Sequence, residues 1–202
     1  MLAFLDFFGI AVFAITGALV AGKKRFDVFG VLVVALITSL GGGTLRDVIL
    51  DAHPMVWIQN TTYLGVAILA ALSTFFWVRI RHIPLRMLEV SDAIGLAFFT
   101  IAGAQKAAAL GHAPEICLLM GLMTGVAGGV LRDIACNEIP LIFHKEIYAT
   151  AAISGGAAYL LALQLGIGMS LAMMLGMGIT LSLRLAGIYR GWSLPAFLTA
   201  GR

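Results

Sequence analysis

The sequence predicts an all-α integral membrane protein with seven transmembrane helices, arranged as two inverted three-helix repeats followed by a seventh helix. Three observations support this prediction: an apolar composition, seven apolar runs of membrane-spanning length, and an internal repeat in which positions 86 residues apart carry the same residues. About 20 apolar residues are enough to cross the hydrocarbon core of a bilayer as a helix. Residues 1–202 are therefore predicted to form a single transmembrane domain.

The composition is typical of a protein embedded in lipid. Of the 202 residues, 61% are hydrophobic and 11% are charged, whereas a soluble domain is about half apolar and about a quarter charged. Spans of this number leave no room for a separate soluble catalytic domain, and the sequence has no phosphate-binding loop or dinucleotide fingerprint. The formal charge of +3 is attributed to loops that set orientation. Neither an enzyme nor a nucleic-acid partner is expected.

Charged or proline-containing gaps separate the apolar runs. The second and fifth runs differ from the others because each contains several glycines and an Arg-Asp pair. Each glycine lowers helix stability by roughly 1 kcal/mol relative to alanine, and irregular backbone in lipid is tolerated only where protein or water satisfies it. We therefore expect these two helices to be broken and to line a cavity. The predicted spans are about 4–22, 28–50, 61–79, 88–110, 114–137, 146–165 and 168–189.

An internal duplication relates the first three spans to the next three. The motif Thr-x3-Gly-Gly-x-Leu-Arg-Asp occurs at 38–47 and again, with identical offsets, at 124–133. Each unit holds an odd number of spans, so the two copies must lie in opposite orientations in the membrane. The first repeat covers about 4–80, the second about 88–166, and the seventh helix about 168–189. The pairs that match outside the motif are Asp6 with Asp92, Gly9 with Gly95, Phe13 with Phe99, Gly17 with Gly103, Ala18 with Ala104 and Pro54 with Pro140.

Basic residues concentrate at one predicted end of the bundle, in the gaps after spans one, three and five and near the C-terminus. The opposite gaps, around 51–60, 111–114 and 164–168, contain no Lys or Arg. Because cytoplasmic loops carry the excess of Lys and Arg, the N-terminus is predicted to lie outside and the C-terminus in the cytoplasm. The basic residues assigned to the cytoplasmic end are Lys23, Lys24, Arg25, Arg79, Arg81, Arg86, Lys145, Arg184, Arg190 and Arg202.

The repeated glycine segments, 38–47 and 124–133, are the candidate binding or permeation site. At a broken helix, released carbonyls and nearby hydroxyls would face cations, whereas released amides would face anions. A second interpretation is that the glycines let helices pack closely.

The ionisable residues that end these segments are functional candidates, because charges at membrane depth are costly unless paired or wetted. Neighbouring helix residues point in different directions, so Arg46 and Arg132 are expected to pair with carboxylates on other helices rather than with the adjacent Asp. Asp6 and Asp92 are the candidate partners, with helix capping as the alternative. A purely structural ion pair is the other interpretation of both arginines.

Lys106 lies within the fourth span, and Val20 occupies the matching position in the first repeat. A cation at this depth would repel permeant cations, sense voltage or donate to released carbonyls. Alternatively, its side chain snorkels toward the outer face.

The duplicated Gly-Gly-x-Leu-Arg-Asp segments, within two three-helix repeats and a seventh helix, resemble the prokaryotic branch of the trimeric intracellular cation (TRIC) channel family. Bacterial relatives also carry the label of a glycine transporter domain. The resemblance extends from about Asp6 to Tyr189. It implies a homotrimer among the lipids of a prokaryotic inner membrane, with a water-filled pore in each protomer. That pore would conduct K+ and, less selectively, Na+, with no cofactor and no metal beyond these permeant ions.

In that family the second and fifth helices are kinked at the glycine motifs and line the pore. The resemblance makes Arg46 and Arg132 structural or gating partners, beside the charges of Asp6, Asp92 and Lys106. Lys106 is followed by Ala, not by the Glu-Val of animal members, so phosphoinositide binding is not transferred. Carried over by motif position, the pore and ion-binding residues are Thr38, Ser39, Gly41, Gly42, Gly43, Asp47, Thr124, Gly125, Gly128, Gly129 and Asp133.

A second function stays open on the residues alone, namely a secondary transporter of glycine or a similar small amino acid. Inverted repeats and broken helices suit alternating access as well as they suit a pore, and exposed amides at half-helix ends would bind a substrate carboxylate.

Overall fold

The chain is an all-helical membrane protein. A computed structural model describes residues 2–80, 86–143 and 147–193. Within these ranges there are eight α-helices, one 3-10 turn and no strand. The helices are α1 (Leu2–Lys23), α2 (Val28–Ile49), α3 (Val56–Gln59), α4 (Thr62–Ile80), α5 (Met87–Ala109), α6 (Pro114–Ala135), α7 (Ala149–Gln164) and α8 (Met169–Arg190), and the 3-10 turn is Leu141–Phe143.

Seven of these helices fall on the seven predicted spans, with ends that differ by a few residues. Six of them are apolar and long enough to cross a membrane. The remaining one, α7, has 16 residues and is shorter than the roughly 20 that a span needs. The exact count of seven spans therefore stays a prediction. The short helix α3, which follows α2, was not predicted.

The expected helix breaks are absent from the described chain. Helix α2 continues through Gly41–Gly43 and α6 continues through Gly125–Gly129, both without interruption. The glycines instead allow the two helices to approach closely. A Cβ atom on Gly42 would overlap the carbonyl oxygen of Thr124. This tertiary contact offsets the low helix propensity of glycine, so the close-packing interpretation is the one that the structure favours.

Matching glycines make matching contacts in the two halves of the chain. A Cβ on Gly128 would overlap the carbonyl oxygen of Thr38, which mirrors the contact of Gly42 with Thr124. Gly17 of α1 packs against α2, and Gly103 of α5 packs in the same way against α6. Glycine and threonine at these positions therefore set the spacing of the helices within each half and between the halves.

Three contacts bring the basic gaps to one end of the bundle. Lys24, after α1, pairs with Glu138, after α6, at 2.6 Å. The guanidinium of Arg86, before α5, lies 5.2 Å above the ring of Tyr189 in α8. The amide of Ile147 donates to the carbonyl of Trp192. We call this the basic end. The other end, which carries the connections around 51–60, 111–114 and 164–168, is called the acidic end. Of the predicted basic residues, Arg81, Lys145 and Arg202 lie outside the described residues.

Candidate functional site

A cavity of about 390 Å³ enters the bundle from the acidic end. Its mouth is formed where α1 and α4 begin and where α2 and α5 end. Its inner wall includes Ser39, near the middle of α2, so the cavity reaches roughly halfway along that helix. The lining is largely apolar, with four aromatic side chains and a small number of polar ones. It consists of Asp6, Ile10, Ser39, Leu40, Gly43, Arg46, Asp47, Val56, Trp57, Tyr63, Phe98, Phe99, Ala102, Gln105, Lys106, Ala109, Leu110, Met173 and Met177.

The first charged cluster lies in the wall of this cavity. Arg46 donates through Nε to Oδ1 of Asp47 at 2.8 Å, and Nζ of Lys106 lies 3.1 Å from the same oxygen. Two cations therefore share one carboxylate, and Asp47 is only 1% exposed. Asp47, which the resemblance makes an ion-binding residue, therefore has its charge already neutralised by Arg46 and Lys106 in this structure. Lys106 forms an ion pair rather than snorkelling to the surface.

Asp6 lies in the same cavity without a direct partner. Among the described residues it forms no hydrogen bond or ion pair, and the expected Arg46–Asp6 pair is wrong for this structure. The physical reason is that Nε and Nη2 of Arg46 both face Asp47. Capping is also excluded as the role of Asp6, since α1 begins at Leu2.

The second charged cluster is closed and buried. Nη1 of Arg132 lies 2.9 Å from Oδ1 of Asp92, and both side chains are 0% exposed. The phenol of Tyr148 donates to Oδ2 of Asp92 at 2.8 Å. Asp133 accepts from Nε of Arg132 at 2.8 Å and from the amide of Leu141 at 3.1 Å. The predicted Arg132–Asp92 pair is present, and Asp92 is not a cap because α5 begins at Met87.

Both arginines bind the neighbouring aspartate, contrary to expectation, although Arg132 also forms the expected pair with a carboxylate on another helix. The bonds from Arg46 to Asp47 and from Arg132 to Asp133 are equal in length, at 2.8 Å. Although adjacent side chains leave a helix in different directions, the long arginine chain can fold back, and a buried guanidinium gains from several partners.

The predicted hydroxyl ligands bond to their own helices. Thr38 and Thr124 donate to the carbonyls four residues earlier, each at 2.6 Å, and both lie buried at the crossing of α2 and α6. Ser39 donates to the carbonyl of Ala35 at 2.8 Å and lines the cavity. The predicted residues in the cavity wall are Asp6, Ser39, Gly43, Arg46, Asp47 and Lys106. Those outside its wall are Thr38, Gly41, Gly42, Asp92, Thr124, Gly125, Gly128, Gly129, Arg132 and Asp133.

Two functional candidates escaped the sequence analysis. Tyr148 lies at the edge of the sixth predicted span and carries no charge that would draw notice. Arg184 was assigned to the cytoplasmic surface, but it is fully buried. Its Nη1 donates to the carbonyl of Ile147 at 3.0 Å, and its guanidinium lies 4.6 Å above the ring of Tyr148. The signal that would have identified Arg184 is a charge inside an apolar run.

Comparisons with known proteins relate nearly the whole chain to one family. A family model described as glycine transporter matches residues 3–79 and again 89–164. The inner membrane protein YadS of Escherichia coli K12 is 45% identical over 195 residues, which cover 96% of this chain and 94% of that protein.

Solved structures agree in fold. The TRIC trimeric intracellular cation channel orthologue from Rhodobacter sphaeroides has a TM-score of 0.91 and 37% identity, covering 95% of this chain and 98% of that chain. A second structure, from work on conductance through TRIC cation channels, has a TM-score of 0.89 and 36% identity, covering 99% and 98%. The match over both halves, the glycine motifs and the shared fold assign the chain to the prokaryotic branch of the trimeric intracellular cation channel family.

Proposed function

We propose that the protein is a K+-preferring monovalent cation channel, a homotrimer with one pore in each protomer, in which α2 and α6 line the pore. The observation that carries this proposal is the cavity that runs from the acidic end to Ser39, halfway along α2. Helix α6 is assigned to the other half of the path as the counterpart of α2 in the second repeat. A water-filled path of this depth shortens the apolar barrier that an ion must cross. The likeness to solved TRIC cation channels supports a channel over an enzyme.

The two charged clusters divide the proposed ion path into a half that is open to the cavity and a half filled by side chains. The Arg46–Asp47 cluster borders the open cavity, while the Arg132–Asp92–Tyr148 network fills the corresponding region toward the basic end with buried, bonded side chains. We infer that this network closes the half of the proposed path toward the basic end. Conduction requires that the network separate, so that water and ions enter between α5 and α6.

The arrangement of the repeats supports the inverted topology. Asp47 lies in the last turn of α2 at the acidic end, beside α3, whereas Asp133 lies in the last turn of α6 at the basic end, beside the Leu141–Phe143 turn. Equivalent motifs therefore finish at opposite ends of the bundle, as two oppositely oriented repeats require.

The charge distribution supports an orientation with the basic end in the cytoplasm and the N-terminus outside. Relatives include a named inner membrane protein, in agreement with a location in a prokaryotic inner membrane. Single cysteines introduced at Asp51 and at Lys24 would test the orientation, because a membrane-impermeant thiol reagent should label the first in intact cells and the second only after lysis. Native mass spectrometry in detergent would test the trimer.

The alternative is a secondary transporter of glycine or a similar small amino acid. The observation that favours it is a cavity open at one end above a closed network, the asymmetry that alternating access requires. Proteoliposomes separate the two functions. Saturable uptake of labelled glycine without electrical steps would support transport, whereas K+ currents that are unaffected by glycine would support a channel.

A further inference from the structure

We propose that the cavity at the acidic end is a binding site for an α-amino acid zwitterion with a bulky apolar side chain. This inference concerns binding alone and does not depend on ion conduction. Its basis is the juxtaposition, in one apolar chamber, of a carboxylate that no described residue pairs with and a cluster with one surplus positive charge.

The negative pole of the site is Asp6. Its carboxylate lies in the cavity wall and forms no hydrogen bond or ion pair with any described residue. In the other repeat, the corresponding Asp92 has a partner on each oxygen, Arg132 on one and Tyr148 on the other. Asp6 therefore keeps its hydrogen-bonding capacity for a group that enters from outside, and an ammonium is the complementary donor.

The positive pole is formed by Arg46 and Lys106. These two cations share the single carboxylate of Asp47, so the cluster carries one surplus positive charge. The side chain of Lys106 is 26% exposed, and an ammonium has three donors, of which Asp47 takes one. Lys106 can therefore bind a second carboxylate without leaving the first. The negative charge of Asp6 cancels this surplus, so the four side chains together carry no net charge. A neutral molecule with separated charges therefore suits the cavity better than a simple cation or anion.

The remainder of the lining selects the side chain. Phe98, Phe99, Leu40, Met173 and Met177 face the same space, and a volume of about 390 Å³ lies within the range of roughly 300–1,000 Å³ that is typical of small-molecule pockets. Glycine would leave these apolar surfaces uncovered. An aromatic or branched side chain would cover them, and methionine sulfur and aromatic rings contact such groups favourably.

The test is calorimetric titration of the full-length protein in lipid nanodiscs with L-phenylalanine. Three probes each lack one feature: phenethylamine lacks the carboxylate, 3-phenylpropionate lacks the ammonium, and glycine lacks the side chain. We expect saturable binding of phenylalanine and at least about tenfold weaker binding of each probe. A charge-assisted hydrogen bond changes affinity by this much for the two charge-lacking probes, and burial of an apolar side chain does so for glycine. Phenethylamine binding as tightly as phenylalanine would overturn the zwitterion assignment.

Variants localise the site. Asp6→Asn and Lys106→Met should each weaken phenylalanine binding by at least about tenfold, and Asp6→Glu should restore most of it. Asp51→Asn is the matched control, because Asp51 is a 96% exposed carboxylate at the same end of the bundle. No saturable heat with the unmodified protein, or equal binding by Asp6→Asn, would overturn the proposal. K+ currents without phenylalanine binding would contradict this inference alone, and binding without currents would contradict the channel alone.

Discussion

Arg132 and Asp92 form a fully buried ion pair, 2.9 Å long, between α6 and α5, whereas the equivalent Arg46 and Asp6 of the first repeat remain apart. The same arginine and aspartate positions of the duplicated sequence are therefore paired in the second repeat and apart in the first. The paired arrangement lies within a buried network at the basic end, whereas the arrangement without the Arg46–Asp6 pair borders the cavity at the acidic end. This asymmetry carries both the proposed closed state and the proposed binding site.

Loss of the buried pair should destabilise the protein. Asp92→Asn leaves Arg132 with one carboxylate instead of two, and we expect a loss of about 3 kcal/mol in the free energy of unfolding. The matched variant Asp6→Asn removes the equivalent carboxylate, which pairs with none of the residues that the structure describes, and should change stability little. Reversible unfolding in mixed micelles measures both values. Equal losses in the two variants would show that Asp92 and Asp6 have the same structural role.

Neighbouring glycines should respond very differently to alanine. A Cβ on Gly42 or Gly128 would overlap a backbone carbonyl of the facing helix, while the nearest atom is 3.7 Å away for Gly43 and 3.4 Å away for Gly129. We expect Gly42→Ala and Gly128→Ala to lower stability by about 1–3 kcal/mol or more. Gly43→Ala and Gly129→Ala are the controls and should stay close to the unmodified protein. Thermal melting in detergent compares all four, and tolerance of Gly42→Ala would contradict the close crossing.

These glycines also show what sequence reasoning reached and what it missed. Period and composition located the helices, and the shared motif identified the residues of the α2–α6 crossing. The sequence could not tell whether Gly42 breaks a helix or lets one approach, because both outcomes need a residue without a Cβ. The sequence also could not predict which aspartate forms an ion pair. Asp6 and Asp92 match in sequence, but their surroundings differ. Lys106 joins the cluster of the first repeat by pairing with Asp47, and Tyr148 joins that of the second by bonding to Asp92. Only the fold reveals these neighbours.

Removal of the lysine charge should strengthen cation entry. Lys106→Met leaves Arg46 and Asp47 as a neutral pair. The cavity then has a net charge of −1, which comes from Asp6. A more negative cavity raises the local cation concentration, so single-molecule K+ conductance at low salt should increase, with a smaller increase at high salt. Lys24→Met is the control, because it removes a positive charge at the basic end, where Lys24 pairs with Glu138. An unchanged or lower conductance in Lys106→Met would show that the cavity is not the cation entrance.

The ion pair at the basic end should make a pH-dependent contribution. Lys24 lowers the pKa of Glu138 below its ordinary value of 4.5. A carboxylate with a lowered pKa stabilises the folded state above its ordinary pKa, and the contribution disappears as the pH falls through the lowered value. The melting temperature of the unmodified protein should therefore exceed that of Glu138→Gln at pH 5 to 7, by a small margin because the pair is exposed. The two curves should converge as the pH falls through the lowered pKa of Glu138, and a gap that stays constant throughout the acid range would contradict the assignment.

In the proposed function, K+ crosses each protomer through a cation-selective pore. Purified protein in a planar bilayer under a KCl gradient tests this most directly, with a mock preparation from cells that lack the protein as the control. We expect discrete current steps that reverse near the K+ equilibrium potential and that vanish when a large organic cation replaces K+. Currents that reverse near zero or near the chloride potential, or electrical silence from correctly folded protein, would contradict it.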